Sequence, residues 1–330
     1  MASSALPRLV ITDCDHGTLA PEEEVLKGIV RLDRHQRHDE DGLIEICRDA
    51  DAIITQYGRF TRRVMQTLTR CKVISRYGVG VDTIDLPAAT DMGIVVGYVP
   101  DYGTDEVSSH AAALILAAHR RIVPLDQAVK GGTWDFRIGA PINRLAGQTL
   151  GIVGLGRIGT MLAEKMRSFR LNILAADPYR TDWPDWVKKV SLVELLGVSD
   201  IVSLHCPLTA ETRHMIDAAA IRRMKPSAIL VNTARGGVVD TQAVIQALTE
   251  RWIAGAALDV QEGEPMPAGH PLTRLPNLIL TPHSAWYTEH SIVECKRKVA
   301  LAVRAVVEGR LPVAIANPEV VKRLSWTPTP

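Results

Sequence analysis

The sequence predicts an α/β protein made of two doubly wound parallel-sheet domains, one of them inserted into the other. Short apolar runs alternate with helical patterns along most of the chain, which is typical of parallel βαβ units. The 330 residues suffice for two domains of ordinary size. A glycine-rich segment with the pattern strand, turn and helix lies near the middle of the chain. We therefore expect the domain that contains this segment to interrupt the other.

The first hundred residues contain one series of alternating elements. The predicted strands are Arg8–Thr12, Ala52–Gln56, Val73–Arg76 and Ile94–Gly97. The predicted helices between them are Pro21–Val30, Leu43–Asp49, Arg62–Arg70 and Leu86–Met92. Residues 1–103 are expected to form a small doubly wound domain, completed by residues 295–330.

A second series fills residues 104–294, beginning with helices Asp105–Arg120 and Pro124–Lys130. Its predicted strands are Thr149–Val153, Asn172–Ala176, Ile201–His205, Ala228–Asn232, Ala254–Asp259 and Asn277–Thr281. A last helix, His290–Glu308, would lead back into the first domain, and with Asp105–Arg120 it would act as a hinge. The Pro-rich tail Ser325–Pro330 is expected to be loose.

Composition excludes several classes of protein. The net charge of +1 disfavours a broad electrostatic surface for nucleic acid. The five cysteines are scattered and lack CxxC spacing, so neither a disulfide framework nor a metal site is predicted, and a reducing compartment fits best. The N-terminus lacks the regions of a signal peptide, and no apolar run approaches the length of a membrane span. A cytoplasmic protein without membrane contact is expected.

The segment Thr149–Gly159 carries the strongest functional signal. An apolar strand leads into Gly154-x-Gly156-x-x-Gly159 and then into a helical pattern, while Asp177 follows the next apolar run. Together these features are the dinucleotide-binding (Rossmann) fingerprint, in which glycines admit the pyrophosphate to a helix N-terminus and the acid binds the ribose. They predict NAD as the cofactor, and the candidate contact residues are Gly154, Gly156, Arg157, Ile158, Gly159, Asp177 and Pro178.

Three later segments place chemistry-bearing side chains where predicted strands end. Arg235 follows Asn232 and Thr233, and an arginine there can bind a carboxylate through two parallel N–H groups. Acids cluster in Leu258–Pro265, and His283 ends the strand after that. An imidazole at this position suits acid–base work near neutral pH. Taken singly, each residue is more readily structural, and Arg235 could be an ordinary surface arginine; together they form one consistent site.

Two further segments, Ser75–Asp82 and His205–Pro207, are weaker candidates for ligand contacts. In Ser75–Asp82 the backbone N–H groups near Tyr77, Gly78 and Val79 could bind a carboxylate as a small nest, although a plain glycine turn is the alternative. His205, Cys206 and Pro207 end another strand and are expected to wall the cofactor site, since no base pattern supports Cys206 as a nucleophile.

Together these motifs resemble the D-isomer-specific 2-hydroxyacid dehydrogenase family over nearly the whole chain. The motifs on which the resemblance rests are Gly-Leu-Gly-Arg-Ile-Gly, Asn-Thr-Ala-Arg-Gly-Gly, Leu-Asp-Val-x-Glu-x-Glu-Pro and Thr-Pro-His. Within the family, Asp177-Pro-Tyr and the sequence from Thr281 to Glu289 look most like the branch of the C-terminal-binding proteins, which are NAD-dependent corepressors. One departure is Ser109, where many members have Glu.

The resemblance implies a two-domain Rossmann/flavodoxin-like fold, with the cofactor domain inserted in the substrate domain, and assigns residues to roles. Arg235 would orient the substrate, His283 would be the acid–base, and Glu264 would pair with it. Further cofactor contacts would come from Thr104, Thr212, Thr233, Ala234, Asp259 and His283. Substrate contacts would come from Tyr77, Gly78, Val79, Arg235 and Trp286, although Trp286 could instead cap the final helix. Pairing of cofactor domains, on residues near 105–145, would give a homodimer.

The function implied is reversible hydride transfer between NAD and a small 2-hydroxy or 2-oxo acid in a cleft that closes on the substrate. An NAD-sensing corepressor scaffold that binds peptides, or a phosphoglycerate dehydrogenase, are the alternatives. The sequence leaves open the natural substrate, the physiological direction and the oligomeric state.

Overall fold

The structure, a computed structural model, describes residues 6–324 and the backbone of Thr327 and Pro328. The tail prediction for Ser325, Trp326, Thr329 and Pro330 therefore lies outside the described residues. The chain forms two compact units. Unit 1 comprises Met1–Gly103 and Thr288–Pro330, and unit 2 comprises Thr104–Tyr287.

Unit 1 is built on a five-stranded parallel sheet with the order β2-β1-β3-β4-β5. This order is doubly wound: from β1 the chain adds β2 on one side and β3, β4 and β5 on the other, so the strand order reverses between β1 and β3. The elements of its first segment are β1 (Arg8–Ile11), α1 (Ala20–Leu26), β2 (Arg31–Arg34), α2 (Glu40–Cys47), β3 (Ala52–Thr55), α3 (Arg62–Met65), β4 (Val73–Arg76), α4 (Leu86–Asp91) and β5 (Val95–Gly97).

Unit 2 is built on a seven-stranded parallel sheet with the order β12-β11-β10-β9-β6-β7-β8. Its strand order reverses between β6 and β9, as in dinucleotide-binding folds. The elements are α5 (Thr104–His119), α6 (Ile122–Lys130), β6 (Thr149–Val153), α7 (Arg157–Arg167), β7 (Asn172–Ala176), β8 (Lys188–Lys189), α8 (Leu192–Val198), β9 (Ile201–Leu204), α9 (Ala218–Arg222), β10 (Ile229–Asn232), α10 (Thr241–Thr249), β11 (Gly255–Leu258) and β12 (Leu278–Leu280). Short 3₁₀ helices span Phe136–Gly139, Gly236–Val238 and Pro271–Arg274.

The chain then returns to unit 1 through α11 (Glu289–Val307), β13 (Arg310–Leu311), a 3₁₀ helix (Pro318–Arg323) and β14 (Thr327–Pro328). Thr288 begins α11 with a capping box, in which its hydroxyl and that of Ser291 each accept the other residue's backbone N–H. Helix α11 packs on α1, β3 and β4. For this reason unit 2 ends at Tyr287 rather than at the expected residue 294.

Most strands of the two sheets carry apolar side chains on both faces, and these side chains are buried. Strands β3, β9, β10 and β11 are buried along their whole length, which is typical of parallel strands between helix layers. The sequence prediction missed β2 and β8, because Arg31–Arg34 and Lys188–Lys189 are short, charged and partly or fully exposed at sheet edges. Within residues 6–324, the structure contains no helix with the length and apolar character needed to cross a bilayer.

Candidate active site

The glycine-rich turn between β6 and α7 has the geometry of a phosphate-binding loop. Gly154 has a φ of +89°, and a Cβ there would lie 2.8 Å from the Cys206 backbone nitrogen. A Cβ on Gly159 would lie 2.2 Å from the Gly154 carbonyl oxygen, so neither position admits a side chain. A Cβ on Gly156, in contrast, would meet nothing within 4 Å. Open space therefore faces the N-terminus of α7, where a pyrophosphate is stabilised by backbone N–H groups.

Asp177 lies directly after β7, beside this loop. Its carboxylate accepts backbone N–H groups of Leu155 at 2.8 Å, Tyr179 at 2.9 Å and Arg180 at 3.1 Å. The Arg180 guanidinium donates to the Leu155 carbonyl and to the Thr160 hydroxyl, the latter at 2.7 Å. The acid predicted to bind the ribose is therefore held against the glycine loop, and Arg180 is bound to oxygen acceptors of the same loop. Pro178 is exposed next to it.

The segment after β9 forms the other side of the point where the strand order reverses. Cys206 is buried and its backbone contacts the Gly154 position, while Pro207 is exposed. His205 Nε2 is 2.8 Å from the Ser203 hydroxyl, and burial lowers the pKa of His205 to about 4, so its ring is neutral. The Thr212 hydroxyl donates to the Pro207 carbonyl at 2.6 Å and closes the following turn. These residues form a wall beside the glycine loop.

Thr104 lies with Gly156, Arg157 and Arg180 around a groove of about 440 Å³ in unit 2. Arg157 is exposed there, and Ile158 behind it is half-buried. Where the family pattern has Glu, Ser109 accepts a hydrogen bond from Lys165 Nζ at 2.7 Å. Lys165 also binds Asp105, so a local polar network is present despite the departure.

Thr233 and Ala234 follow β10 at the same edge of the sheet. The Ala234 N–H donates to the Asn232 side chain at 3.0 Å, which fixes the turn. The Thr233 hydroxyl oxygen is buried and has no protein partner among the described residues. A buried hydroxyl without a partner is uncommon and fits a ligand group bound at this position.

His283 and Glu264 form a pair in the structure. His283 Nδ1 lies 2.6 Å from Glu264 Oε2, and because an ionised carboxylate only accepts, the ring donates from Nδ1. Glu264 Oε1 accepts the Gln261 N–H at 3.0 Å. Both side chains are about one-third exposed, at 33% for His283 and 30% for Glu264. The ring orientation is thus set through Nδ1, and Nε2 is the nitrogen left to meet a reacting group.

Asp259 holds the turn that carries this histidine. His283 has a φ of +53°, a strained left-handed conformation for a residue with a side chain. Its N–H donates to the Asp259 carbonyl at 2.8 Å, while the buried Asp259 carboxylate accepts the Ser284 and Ala285 N–H groups at 2.9 and 3.0 Å. The expected cofactor residue therefore has a structural task as well.

The same carboxylate is connected to α5, which the sequence reasoning did not foresee. The Thr281 hydroxyl donates to Asp259 Oδ1 at 2.5 Å, and His110 Nε2 lies 3.0 Å from that hydroxyl. His110 comes from the middle of an apolar helix far from residue 259 in sequence, and no motif spacing marked it.

Arg235 follows the end of β10, next to the loops that end β11 and β12. Asn232, Leu258 and Leu280 are aligned in register across these three strands, so the segments beyond them emerge at one edge of the sheet. A Cβ on Gly236 would lie 2.1 Å from the Gln261 carbonyl carbon, so the Arg235 turn packs directly against the loop that carries Glu264. The guanidinium Nη1 donates to the Ala234 carbonyl at 2.9 Å.

Trp286 is half-buried three residues beyond His283. Its indole N–H donates to the His283 carbonyl at 2.9 Å, and its ring meets Tyr287 edge to face at 5.9 Å. The indole is thus fixed beside the histidine turn. It does not belong to α11, which Thr288 caps.

The candidate substrate loop of unit 1 follows β4. Gly78 has a φ of +118°, and Val79 is 42% exposed. Tyr77 is 2% exposed and its phenol donates to Glu22, so any substrate contact at residue 77 falls to its backbone. A Cβ on Gly78 would lie 2.2 Å from Arg76 Nη1. Arg76, a further cation at this loop, was overlooked because it reads as the last residue of a strand.

Comparisons with known proteins agree with this arrangement. Residues 112–285 match the model for the NAD-binding domain of D-isomer specific 2-hydroxyacid dehydrogenases. A glyoxylate reductase of Thermofilum pendens is 44% identical over 295 residues, which are 85% of each chain.

Two solved structures show the same fold. D-lactate dehydrogenase from Aquifex aeolicus, complexed with NAD and lactic acid, matches with a TM-score of 0.82 and 30% identity, over 98% of this chain and 99% of that one. An NADPH-dependent glyoxylate/hydroxypyruvate reductase from Sinorhizobium meliloti, in complex with NADP and malonate, has a TM-score of 0.85 and 28% identity, over 96% and 98%. Similarity to the C-terminal-binding protein branch stays a prediction. The chain belongs to the D-isomer specific 2-hydroxyacid dehydrogenase family, with an NAD-binding domain in residues 112–285.

Proposed function

We propose that this protein interconverts a D-2-hydroxy acid and a 2-oxo acid with NAD as cofactor, using His283 as acid–base, Glu264 as its partner and Arg235 as carboxylate ligand. The observation that carries the proposal is the 2.6 Å pair between His283 Nδ1 and Glu264 Oε2, at the sheet edge where Arg235 also emerges. A paired imidazole beside a carboxylate-binding arginine suits the oxidation of an alcohol next to a carboxylate.

The residues of unit 2 fit a dinucleotide. The open space at Gly156, the carboxylate of Asp177 and the unpartnered Thr233 hydroxyl are suited to pyrophosphate, ribose and a polar group of the nicotinamide half, respectively. When bound, NAD supplies or accepts the hydride at C2 of the substrate.

His283 moves the proton that accompanies this transfer. Its Nδ1–H is engaged by Glu264, so Nε2 is the atom that gives a proton to the 2-oxo oxygen or takes one from the 2-hydroxyl. The Glu264 carboxylate stabilises the protonated ring and fixes its tautomer. Asp259 keeps the ring in place by accepting N–H groups of the turn.

Arg235 binds the substrate carboxylate through parallel N–H groups, which a lysine cannot reproduce. We also propose the backbone of Gly78 and Val79, in unit 1, as a carboxylate ligand; the Arg76 guanidinium lies beside Gly78. The expected cytoplasmic location also stays a prediction.

The direct test is NADH oxidation across 2-oxo acids of graded size, from glyoxylate and pyruvate to 4-methyl-2-oxopentanoate and 3-phosphohydroxypyruvate. We expect turnover with at least one of them. No turnover with any 2-oxo acid, and none with the matching D-2-hydroxy acids and NAD, would refute the proposal.

Cofactor preference gives a first prediction. The Asp177 carboxylate accepts ribose hydroxyls and repels a 2′-phosphate, so NADH should bind more tightly than NADPH. Asp177→Ala should weaken NADH binding about tenfold, the effect of losing one charge-assisted hydrogen bond, and should narrow the preference. Arg180→Ala is the control: because Arg180 binds Leu155 and Thr160, the preference for NADH should persist. Fluorescence titration measures both constants, and equal or tighter NADPH binding by the parent would contradict the prediction.

Substrate preference gives a second. The indole of Trp286, fixed beside His283, supplies an apolar wall that favours 2-oxo acids with an apolar or thioether side chain over phosphorylated ones. The ratio of kcat/KM for 4-methyl-2-oxopentanoate over 3-phosphohydroxypyruvate should exceed one and fall roughly tenfold in Trp286→Ala, as expected for lost apolar contacts. If the phosphorylated substrate is preferred, or if the ratio does not move, Trp286 does not set specificity.

Assembly gives a third. Trp134 and Phe136 are 89% and 84% exposed, and no residue of α6 is buried. With Leu125 and Val129 they line an apolar groove of unit 2. Exposed apolar patches mark interfaces, so we expect a two-fold homodimer through residues near 105–145. Sedimentation at micromolar concentration should show a dimer that Trp134→Ser with Phe136→Ser dissociates. Only monomer in the parent would overturn this.

A further inference from the structure

Unit 1 contains a buried ion pair that the proposed chemistry does not use. Lys296, on α11, and Glu22, on α1, have side chains that are 1% and 0% exposed. Lys296 Nζ lies 2.8 Å from Glu22 Oε1. Removing two charges from water is costly, and apolar residues of similar volume often hold helices together as well or better. Helix packing alone therefore does not explain why this pair is present.

Two further groups complete what we call the Lys296 cluster: Cys14, Glu22, Tyr77 and Lys296. The Tyr77 phenol donates to Glu22 Oε1 at 2.6 Å, and Lys296 Nζ donates to Cys14 Sγ at 3.3 Å. The ammonium also lies 5.3 Å from the centre of the Tyr77 ring. Burial, and then the Glu22 carboxylate, raise the pKa of Tyr77 well above its usual range. The phenol therefore stays protonated and donates its hydrogen bond to Glu22, which fixes the position of the Tyr77 ring.

The cluster brings together three parts of unit 1 that are distant in sequence: residues 14 and 22, Tyr77, and Lys296. Of these, the segment of Tyr77 continues directly into Gly78 and Val79, the loop proposed to receive the substrate carboxylate. The backbone on both sides of that point is also held: the Tyr77 N–H donates to the Thr55 carbonyl at 2.9 Å, and the Gly78 carbonyl accepts the Val99 N–H at 3.0 Å. The phenol of Tyr77 is a further anchor at the point where the loop leaves β4, in addition to these backbone hydrogen bonds.

We propose that Glu22 and Lys296 are positioning residues for substrate binding, which through the Tyr77 phenol hold the Gly78–Val79 backbone in the conformation that binds the carboxylate of the 2-oxo acid. This inference rests on the proposed function. A hydrogen-bonded ion pair suits the task because it prescribes a direction for the phenol, whereas apolar contacts tolerate sliding.

The test uses Tyr77→Phe, which removes a single oxygen, and Glu22→Gln. Both should raise KM for the preferred 2-oxo acid about tenfold, the factor for one lost hydrogen bond to a charged group, while the Kd of NADH stays within about twofold of the parent. The matched control is Arg297→Gln. It removes an exposed ion pair, Arg297 with Glu24, which also connects α11 and α1. This variant should leave both constants unchanged. If Glu22→Gln does not fold, the paired variant Glu22→Met with Lys296→Met replaces it, with the same rise in KM expected.

A second readout separates this inference from the proposed function. Oxalate, an unreactive dicarboxylate, should bind the NADH-loaded parent and bind about tenfold more weakly to Tyr77→Phe, the same factor as for KM. A fall in melting temperature with unchanged KM and unchanged oxalate binding would show that the cluster only stabilises the fold, and the inference would be wrong while the proposed function stands. A parent without turnover refutes the proposed function. In that case, weaker oxalate binding by Tyr77→Phe would still support the positioning role. Equal oxalate binding by the parent and the variant would refute the positioning role as well.

Discussion

Replacing His283 by alanine is expected to lower turnover of the 2-oxo acid by about 10²- to 10⁴-fold, the range typical of a lost general acid–base. Among the described residues, the ring of His283 is the only imidazole at this sheet edge whose Nδ1 is held by a carboxylate. Its Nε2 is therefore left to exchange a proton with the substrate. The Kd of NADH should stay close to that of the parent, because the glycine loop and Asp177, which are proposed to bind the pyrophosphate and the ribose, are unchanged in this variant.

His290→Ala is a suitable control, since His290 is exposed on the first turn of α11 and has no part in the proposed chemistry. Stopped-flow measurement of NADH oxidation, together with fluorescence titration of NADH, separates chemistry from binding. Near-normal turnover by His283→Ala would contradict the assignment, and a matching loss in His290→Ala would show a general effect on the fold.

The second large effect is expected for Glu264→Gln. The amide keeps the size of the side chain but loses the charge that stabilises the protonated ring, and it can present an N–H to Nδ1 and invert the tautomer. We expect kcat to fall roughly 10²-fold with little change in the Kd of NADH.

Glu262→Gln provides a closely matched control for this prediction. Glu262 lies in the same loop, but its carboxylate binds His214 at 2.7 Å and the Thr241 hydroxyl at 3.0 Å rather than His283. It should affect stability more than turnover. Equal losses of kcat in the two variants would argue that the loop needs its charge rather than the His283–Glu264 pair.

Much of the fold follows from the sequence because the signals are local. Two strands, Thr149–Val153 and Asn172–Ala176, are predicted with the bounds that the structure has, since each is a short apolar run with a clear turn after it. The edge strands β2 and β8 were missed for the opposite reason: most of their residues are charged, and only pairing with a neighbouring strand makes them extended. Such pairing is a tertiary effect that no local pattern reveals.

The candidate site divides in the same way. Arg235, a cluster of acids and His283 were predicted at one edge because parallel strands bring their carboxyl ends together there, and the family resemblance selected Glu264 among the acids. The structure supplies the contact between His283 and Glu264. The inward direction of the Tyr77 ring and its partners Glu22 and Lys296 could not be predicted. Residues 22 and 296 meet only when α11 packs on α1 after the whole of unit 2 has intervened.

The most direct test of the proposed hydride transfer follows one deuterium atom. The protein is incubated with a 2-oxo acid and NADH deuterated at the transferable position of the nicotinamide, and the product is analysed by mass spectrometry and chiral chromatography. We expect a 2-hydroxy acid of D configuration with the deuterium on C2. An L product, a racemic product, or a product without deuterium at C2 would contradict it.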